Sequence, residues 1–373
     1  MIQVRRITLH EIRLPLREPF AISSGVTTTR RILLVHLEAA DGVEAWSECV
    51  AGDFPNYSPE TIDTAWLAIR EWFGSRLLGV ELGAPEEAHR RLSADVRGHE
   101  MARAALEMGV WALFATVRGV SLSRLLGGER PVVETGISLG IQADPAALVE
   151  RARAALEQGY RKIKIKIKPG RDVEFVAAAR AELGPEAPLM ADANNAYTLA
   201  DADHLARLDD FDLVMIEQPL AWDDVIRHAE LQRRLRTPIC LDESITCIER
   251  AEDMIRLDSG RIVNIKPGRV GGFSVSKQIH DLCASHDIPV WCGGMLESGV
   301  GRAYNVALAS LPNFRIPGDV SPSARYWERD VVDPEWVMNE RGEITVPEHP
   351  GLGVTVDVER IEALTVRSER FSA

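Results

Sequence analysis

The sequence predicts an α/β fold in which eight parallel strands, each followed by a helix, close into a TIM-type (β/α)8 barrel. From residue 131 onward, short β-rich runs alternate with helical stretches at a repeat of about 25 residues. This alternation calls for parallel strands, and eight of them close a barrel. The predicted strands occupy residues 132–139, 160–167, 188–194, 213–218, 238–243, 261–266, 289–292 and 314–319.

The main alternative to the barrel is an open, doubly wound sheet. Such a sheet usually carries a glycine-rich phosphate-binding turn after its first strand. Neither G-x-G-x-x-G nor G-x-x-x-x-G-K-[ST] occurs in this chain. The sequence therefore favours the closed barrel over the open sheet.

The regions before and after the repeat predict a second, α+β module. Its expected elements are strands at 2–13 and 31–37, turns at Ser23-Ser24-Gly25 and Asp41-Gly42, and helices at 59–73 and 100–117. The end of the chain loses the strand–helix repeat, so we expect it to return to this module. The expected domains are 1–129 (α+β), 130–322 (barrel) and 323–373 (the returning segment).

Composition and charge narrow the range of partners. The chain has 43 basic and 56 acidic residues and a formal net charge of −13 at pH 7, which disfavours nucleic acid and anionic membrane surfaces. The five cysteines are odd in number and form no C-x-x-C pair, which favours a reducing compartment. No signal-like N-terminus and no run of about 18 apolar residues is found. We expect a cytoplasmic homo-oligomer that acts on a small molecule.

Charged residues recur at the ends of five consecutive predicted strands. Lys166, Asp192, Glu217, Asp242 and Lys266 are separated by 26, 25, 25 and 24 residues. One strand–helix unit separates each from the next, so all five are expected at one level of the barrel. Catalytic residues of such barrels lie at the C-terminal ends of the strands.

The three acids in the middle of this series predict a metal site. Three carboxylates at one level would repel each other at the edge of a low-dielectric core. Oxygen ligands from Asp192, Glu217 and Asp242, completed by water and substrate, suit Mg²⁺ or Mn²⁺. The alternative is that each acid caps the helix that follows it, but three acids at equal spacing favour the metal.

The lysines that flank the acids predict proton transfer. In the run KIKIKIK the isoleucines are expected to face the outer helices, so Lys164, Lys166 and Lys168 should point into the barrel. Lys266 ends the sixth strand, four places away in a ring of eight, and should therefore face Lys166 across the mouth. The alternative is that these lysines are only salt-bridge partners of the acids.

Opposed lysines beside a metal can remove a proton α to a carboxylate. The second negative charge that forms on the carboxylate would be met by the cation. A lysine must be neutral to act as the base, and metal charge and burial are expected to lower its pKa. Arg269, three residues after Lys266, is expected to lower the pKa of Lys266 further.

These residues resemble the enolase superfamily, in particular its muconate-lactonizing subgroup. Still more similar is the o-succinylbenzoate synthase and N-succinylamino acid racemase family, and the likeness covers nearly the whole chain. The stretches that carry it are Ile165-Lys166-Ile167-Lys168-Pro169-Gly170, Ile216-Glu217-Gln218-Pro219-Leu220, Leu241-Asp242-Glu243-Ser244, Asn264-Ile265-Lys266-Pro267-Gly268-Arg269 and Cys292-Gly293-Gly294-Met295-Leu296-Glu297-Ser298.

The resemblance implies a role for each matching residue. It implies one Mg²⁺ or Mn²⁺ per subunit on Asp192, Glu217 and Asp242, with Lys166 and Lys266 as the acid/base pair. The α+β module would then be a capping domain. Residues implied to bind the substrate or to support the ligands are Lys164, Asn194, Glu243, Arg269, Ser138, Gly294, Leu296, Glu297, Phe20 and Tyr326. For Phe20 and Tyr326 plain packing is the alternative.

One departure from the superfamily bears on the substrate. Dipeptide epimerases carry an Asp-x-Asp on the eighth strand that holds an ammonium group, whereas here Asp319 is followed by Val320 and Ser321. An N-acylated or wholly anionic substrate therefore fits better than a free dipeptide. Two reactions that share proton abstraction follow from the resemblance. They are dehydration to succinylbenzoate, a step in menaquinone synthesis, and racemisation of N-succinylamino acids.

Three alternatives to these two reactions stay open. Two are other isomerases of the subgroup, namely a muconate cycloisomerase and a dipeptide epimerase. The third is a barrel that only binds a ligand, which would require the acids or the lysines to be interrupted. None of them is interrupted in this chain.

Overall fold

A computed structural model describes residues 1–22 and 25–373 of the chain. The predicted turn at Ser23-Ser24-Gly25 lies mostly outside the described residues. Within them the fold is an α/β barrel of parallel strands beneath an antiparallel sheet with its own helices, as predicted. No helix among the described residues is both long and apolar enough to cross a membrane.

The N-terminal region forms an antiparallel sheet covered by helices. Its elements are β1 (Ile2–Ile22), β2 (Gly25–Ala39), β3 (Glu44–Cys49), α1 (Ile62–Ala68), α2 (Gly74–Leu77), β4 (Glu81–Leu82), α3 (Glu86–Ser93), α4 (Glu100–Val117) and α5 (Leu122–Leu126). The helix predicted at 59–73 is interrupted by a π-helical stretch at Ile69–Phe73. The helix predicted at 100–117 is confirmed as α4, which is buried along most of its length against β2 and β3.

The barrel strands follow in chain order with a helix after each, and one short strand that is not part of the barrel precedes them. The elements are β5 (Val132–Glu134), β6 (Gly136–Leu139), α6 (Pro145–Glu157), β7 (Lys162–Lys166), α7 (Val173–Leu183), β8 (Leu189–Asp192), α8 (Ala202–Leu205), β9 (Ile216–Glu217), α9 (Ile226–Gln232), β10 (Ile239–Leu241), α10 (Ile248–Leu257), β11 (Ile262–Ile265), α11 (Phe273–Ser285), β12 (Val290–Cys292) and α12 (Gly299–Ala309). Strands β6 to β12 pair in parallel with their chain neighbours. The parallel order inferred from the repeat is therefore confirmed.

The predicted strand at 314–319 is not a regular strand, although the segment takes the eighth place in the ring. Phe314 bridges Val290 on one side, and Gly318 bridges Thr135 on the other. The backbone N–H of Asp319 also donates to the carbonyl of Cys292 at 2.8 Å. Pro317 lies in the middle of the segment and has no N–H for a ladder, which accounts for the loss of strand geometry.

The first predicted strand, at 132–139, is also divided. Only β6 belongs to the barrel, whereas β5 pairs antiparallel with β14 in the C-terminal part of the chain. The remaining elements of that part are β13 (Val332–Asp333), β14 (Glu343–Thr345), β15 (Thr355–Val356), α13 (Val358–Leu364) and β16 (Thr365–Ser372). Strand β16 pairs antiparallel with β1, so the chain end joins the N-terminal sheet. The domain limits given above stay a prediction.

Two buried carboxylates join the N-terminal module to the barrel. Glu107 of α4 accepts hydrogen bonds from the backbone N–H groups of Phe273 and Ser274, at 2.8 and 3.0 Å, where α11 begins. Glu48 of β3 accepts from the backbone and hydroxyl of Ser298, where α12 begins. Carboxylates satisfy the free N–H groups of a helix N-terminus and its positive dipole end. These contacts fix the module over the C-terminal ends of the strands.

Candidate active site

The sheet register brings the predicted charged residues to one level. Lys166 lies opposite Asp192, and Asp192 lies opposite Glu217. Asp242 directly follows β10, and Lys266 directly follows β11. Because these strands are neighbours in a parallel sheet, the five side chains form one arc along the mouth of the barrel.

Each acid of this arc is in direct contact with a lysine. Lys166 Nζ lies 2.6 Å from Asp192 Oδ2, and Lys266 Nζ lies 2.8 Å from Asp242 Oδ2. Lys164 Nζ lies 3.3 Å from Glu217 Oε2. Among the described residues, no three acidic, histidine or cysteine side chains stand together in an arrangement that would hold a metal ion. In this structure the lysines are therefore salt-bridge partners of the acids, which was the alternative to a metal site.

The acids differ in how their charge is compensated. Burial and the neighbouring charge of Asp192 raise the pKa of Glu217 well above its ordinary value, against the opposing effect of Lys164. Burial also opposes ionisation of Asp192, but the charges of Lys166 and Lys164 outweigh it and hold the pKa of Asp192 below its ordinary value. Glu217 is therefore the acid whose negative charge is least compensated by the protein alone.

The expectation that Arg269 lowers the pKa of Lys266 is not met. Arg269 Nη1 makes a short contact with Asp242 Oδ1 and its Nε donates to the carbonyl of Ile245 at 2.8 Å. Burial disfavours the charged form of Lys266, but the contact with Asp242 outweighs burial and raises the pKa of Lys266 above its ordinary value. Arg269 is therefore paired with the same carboxylate as Lys266.

Asn194 and Glu243 lie next to the arc, as the resemblance implies. Asn194 Oδ1 accepts a hydrogen bond from Lys166 Nζ at 2.6 Å, and Asn194 Nδ2 lies 3.3 Å from Glu243 Oε1. Burial, followed by the charge of Asp242, raises the pKa of Glu243 to about 7. Asn264 of β11 donates to Glu217 Oε1 at 2.6 Å. These amides orient the oxygens and ammonium groups of the arc.

Tyr57 belongs to the site and was missed by sequence reasoning. Its hydroxyl donates to Asp242 Oδ1 at 3.0 Å and accepts from Lys266 Nζ at 3.1 Å. Its ring centroid lies 4.4 Å from the same ammonium group. The residue lies in the loop between β3 and α1, where neither periodicity nor a motif singles it out. Only the docking of the N-terminal module brings it to the mouth.

For the run of lysines at 162–168, the predicted position of one residue was wrong and one buried lysine was not recognised. Lys168 was expected to point into the barrel, but β7 ends at Lys166, and Lys168 bridges Arg171 in the following turn beside Ile141. The Pro169-Gly170 turn ends the strand and accounts for this difference. Lys162, which was not singled out, is fully buried inside the barrel.

A cavity of about 480 Å³ opens above the arc. Lys166 and Lys266 both reach it from the barrel. Predicted residues that line it are Asn194, Gly294, Leu296 and Phe20, and the cap adds Arg30, Phe54 and Tyr57. One cavity therefore joins the opposed lysines to residues of the N-terminal module.

Three predicted pocket residues lie elsewhere among the described residues. Ser138 is buried opposite Lys164 in the sheet, and its hydroxyl has no hydrogen-bond partner there. Glu297 forms an ion pair with Arg302 at 3.2 Å. Tyr326 is buried beside a neighbouring cleft that it shares with Phe20. Whether Tyr326 contacts a substrate stays a prediction.

Fold and site together define a barrel enzyme whose acid–lysine mouth is roofed by an N-terminal cap. Residues 4–127 match the family described as "Mandelate racemase / muconate lactonizing enzyme, N-terminal domain". Residues 147–361 match "Enolase C-terminal domain-like". The chain therefore belongs to the enolase superfamily, a superfamily of metal-dependent enzymes, within its mandelate racemase and muconate lactonizing branch.

Similar proteins share nearly its whole length. An o-succinylbenzoate synthase of Geobacillus stearothermophilus is 48% identical over 370 residues, which cover 99% of this chain and 98% of the relative. An N-succinylamino acid racemase of Thermus thermophilus is 47% identical and covers 100% of both chains. A solved structure of an enolase superfamily member from Listeria innocua has a TM-score of 0.96 at 38% identity and covers 100% of both chains. The family suggested by the sequence motifs is confirmed.

Proposed function

We propose that this protein removes the proton α to a substrate carboxylate, as an o-succinylbenzoate synthase, an N-succinylamino acid racemase, or both. One observation carries the proposal. The ammonium groups of Lys166 and Lys266 come from β7 and the end of β11, four places apart in the ring, and both line one cavity. Groups placed in this way approach opposite faces of a carbon held between them.

We propose further that Asp192, Glu217 and Asp242 hold a divalent cation, best Mg²⁺ or Mn²⁺. The donors fit, because all three are buried carboxylates on adjacent strands at one level, and hard cations prefer oxygen ligands. The raised pKa of Glu217 supports this, since that carboxylate needs further positive charge in order to ionise. When bound, such a cation supplies a Lewis acid that offsets the charge developing on the substrate carboxylate. Asp192 and Asp242 must turn from their lysines to bind it.

The two lysines then act on opposite faces of the substrate α-carbon. A lysine released from its carboxylate and deprotonated takes the α-proton from one face. In racemisation the opposite lysine returns a proton to the other face. In dehydration the same lysine returns the abstracted proton to the β-hydroxyl group, which leaves as water, and the second lysine acts as a cation. Lys164, which contacts Glu217, offers its ammonium group to the substrate carboxylate.

The position of Asp319 supports an N-acylated substrate over a free dipeptide. Asp319 Oδ2 lies 2.6 Å from Lys164 Nζ, and Asp319 Oδ1 lies 3.6 Å from Lys162 Nζ. A carboxylate that already pairs with two lysines is a poor partner for a substrate ammonium group. Acylation removes that positive charge from the substrate, so no such partner is needed.

Arg30 supports an acyl group that itself ends in a carboxylate. The residue is buried and lines the same cavity as the lysines. Its Nη2 donates to the carbonyls of Val50 and Ala51 at 3.4 Å, and its Nε has no hydrogen-bond partner among the described residues. It forms no ion pair within 1–22 and 25–373 either. A buried guanidinium of this kind favours an anionic group in the cavity.

For the metal, we expect chelation to abolish turnover and added Mg²⁺ or Mn²⁺ to restore it. Asp242→Asn removes one charged ligand and should lower kcat/KM by about 100-fold or more, while circular dichroism stays unchanged. The matched control is Asp203→Asn on the exposed surface, which should behave as wild type. Full activity of the metal-stripped protein would rule out the metal site.

For the lysines, we expect each to serve one enantiomer. In D₂O, with N-succinylamino acids of either configuration, Lys166→Ala should lose α-proton exchange from one enantiomer and Lys266→Ala from the other. Both variants should lose racemisation, and the exchange that survives should be slowed by the missing cation. Lys277→Ala, on the partly exposed α11 ion pair, serves as the control. Racemisation at the wild-type rate in either variant would contradict the two-base assignment.

For Arg30, we expect Arg30→Gln to discriminate between acyl groups. The variant should lower kcat/KM for an N-succinylamino acid by about 10-fold to 100-fold, the worth of a charged hydrogen bond. Its kcat/KM for the N-butyryl analogue, which has the same length but no terminal carboxylate, should stay close to the wild-type value. Arg13→Gln, an exposed residue of β1, is the control. Equal losses for both substrates would assign Arg30 a structural role only.

A further inference from the structure

A buried lysine below the mouth of the barrel has no part in the proposed reaction. Lys162 precedes Lys164 by two residues on β7, so it points to the same side one layer deeper. It is 1% exposed, and its ammonium group has no hydrogen-bond partner among the described residues. That ammonium group lies 3.5 Å from the ring centroid of Trp291. Burying such a group is costly, so its neighbours must compensate its charge.

Asp319 is the acid that compensates Lys162. Its Oδ1 lies 3.6 Å from Lys162 Nζ, and its Oδ2 lies 2.6 Å from Lys164 Nζ. Asp319 is 3% exposed, and its backbone N–H donates to Cys292 where the eighth segment closes the ring. The backbone of Asp319 is therefore fixed where the barrel closes, and its carboxylate bridges two lysines of one strand.

Lys164 is the link between this buried pair and the mouth. Its Nζ lies 3.2 Å from Asp192 Oδ2 and 3.3 Å from Glu217 Oε2, in addition to the shorter contact with Asp319. Without Asp319 the ammonium group would be drawn entirely between Asp192 and Glu217. There it would compete with any cation for the oxygens of those two acids.

We propose that Asp319 and Lys162 are positioning residues that act through Lys164. Asp319 draws the Lys164 ammonium group toward itself, which lessens the competition of Lys164 with a divalent cation for the oxygens of Asp192 and Glu217. Lys162 fixes the carboxylate of Asp319 by pairing with its second oxygen. This inference rests on the proposed function, because it assumes that the mouth binds a cation and a substrate carboxylate. It assigns a role to Asp319 and Lys162, which would contact neither the cation nor the substrate.

The test is Mg²⁺ binding by isothermal titration calorimetry without substrate, together with separate KM and kcat values for racemisation. We expect Asp319→Asn to weaken Mg²⁺ binding by about 10-fold or more, the usual effect of losing a residue that orients metal ligands, and to raise KM more than it lowers kcat. Lys162→Met should also weaken Mg²⁺ binding and raise KM, but by smaller factors. Lys162→Arg, which keeps the charge, should restore wild-type values.

Unchanged Mg²⁺ affinity and KM in both Asp319→Asn and Lys162→Met, even with a lower melting temperature, would overturn the proposal and leave the cluster a packing role. Should Asp319→Asn fail to fold, the comparison of Lys162→Met with Lys162→Arg decides alone. A wild-type protein that binds no Mg²⁺ would contradict the proposed function instead. It would also remove the premise of the positioning role, because no cation would then compete with Lys164.

Discussion

Many charged side chains are buried at the mouth of the barrel, and neighbouring side chains have to compensate their charges. Ionised groups are tolerated in such a place only when oppositely charged groups lie against them. Here buried acidic side chains lie against buried cationic ones: Asp192, Glu217, Asp242, Glu243 and Asp319 with Lys162, Lys164, Lys166, Lys266 and Arg269. Within the arc, Glu217 is the least compensated acid, because burial and the charge of Asp192 raise its pKa. A cation bound in the proposed site would supply the positive charge that Glu217 lacks.

The barrel and the cap contribute different parts of the site. The barrel supplies the acids and lysines, whose relative height is set by the parallel register. The cap supplies groups that touch the substrate space from above, among them Tyr57, Phe54 and Arg30. Glu48 and Glu107 bind the cap to the first turns of two barrel helices. The cap thus lines the cavity and, through Tyr57, also contacts Asp242 and Lys266 at the ends of the strands.

The arc of acids and lysines was predictable because strand–helix units of nearly constant length convert regular spacing into a common height. The prediction for Lys168 was wrong because the Pro169-Gly170 turn ends the strand before that residue. The segment at 314–319 was predicted to be a regular strand, although Pro317 lies within it. Tyr57 could not be found, since it meets Asp242 across 185 positions of sequence. The pairing of lysines with acids was foreseen only as an alternative. The choice between it and a metal depends on side-chain rotation, which spacing does not determine.

The most direct measurement is a crystal structure of the protein grown with Mg²⁺ and a non-reacting substrate analogue. We expect Asp192, Glu217 and Asp242 each to place an oxygen about 2.1 Å from one bound ion. We also expect the lysine contacts of 2.6 Å at Asp192 and 2.8 Å at Asp242 to be broken. Lys166 and Lys266 would then flank the analogue from opposite faces. A structure in which both ion pairs persist at saturating Mg²⁺, with no ion among the three acids, would contradict the proposed metal site.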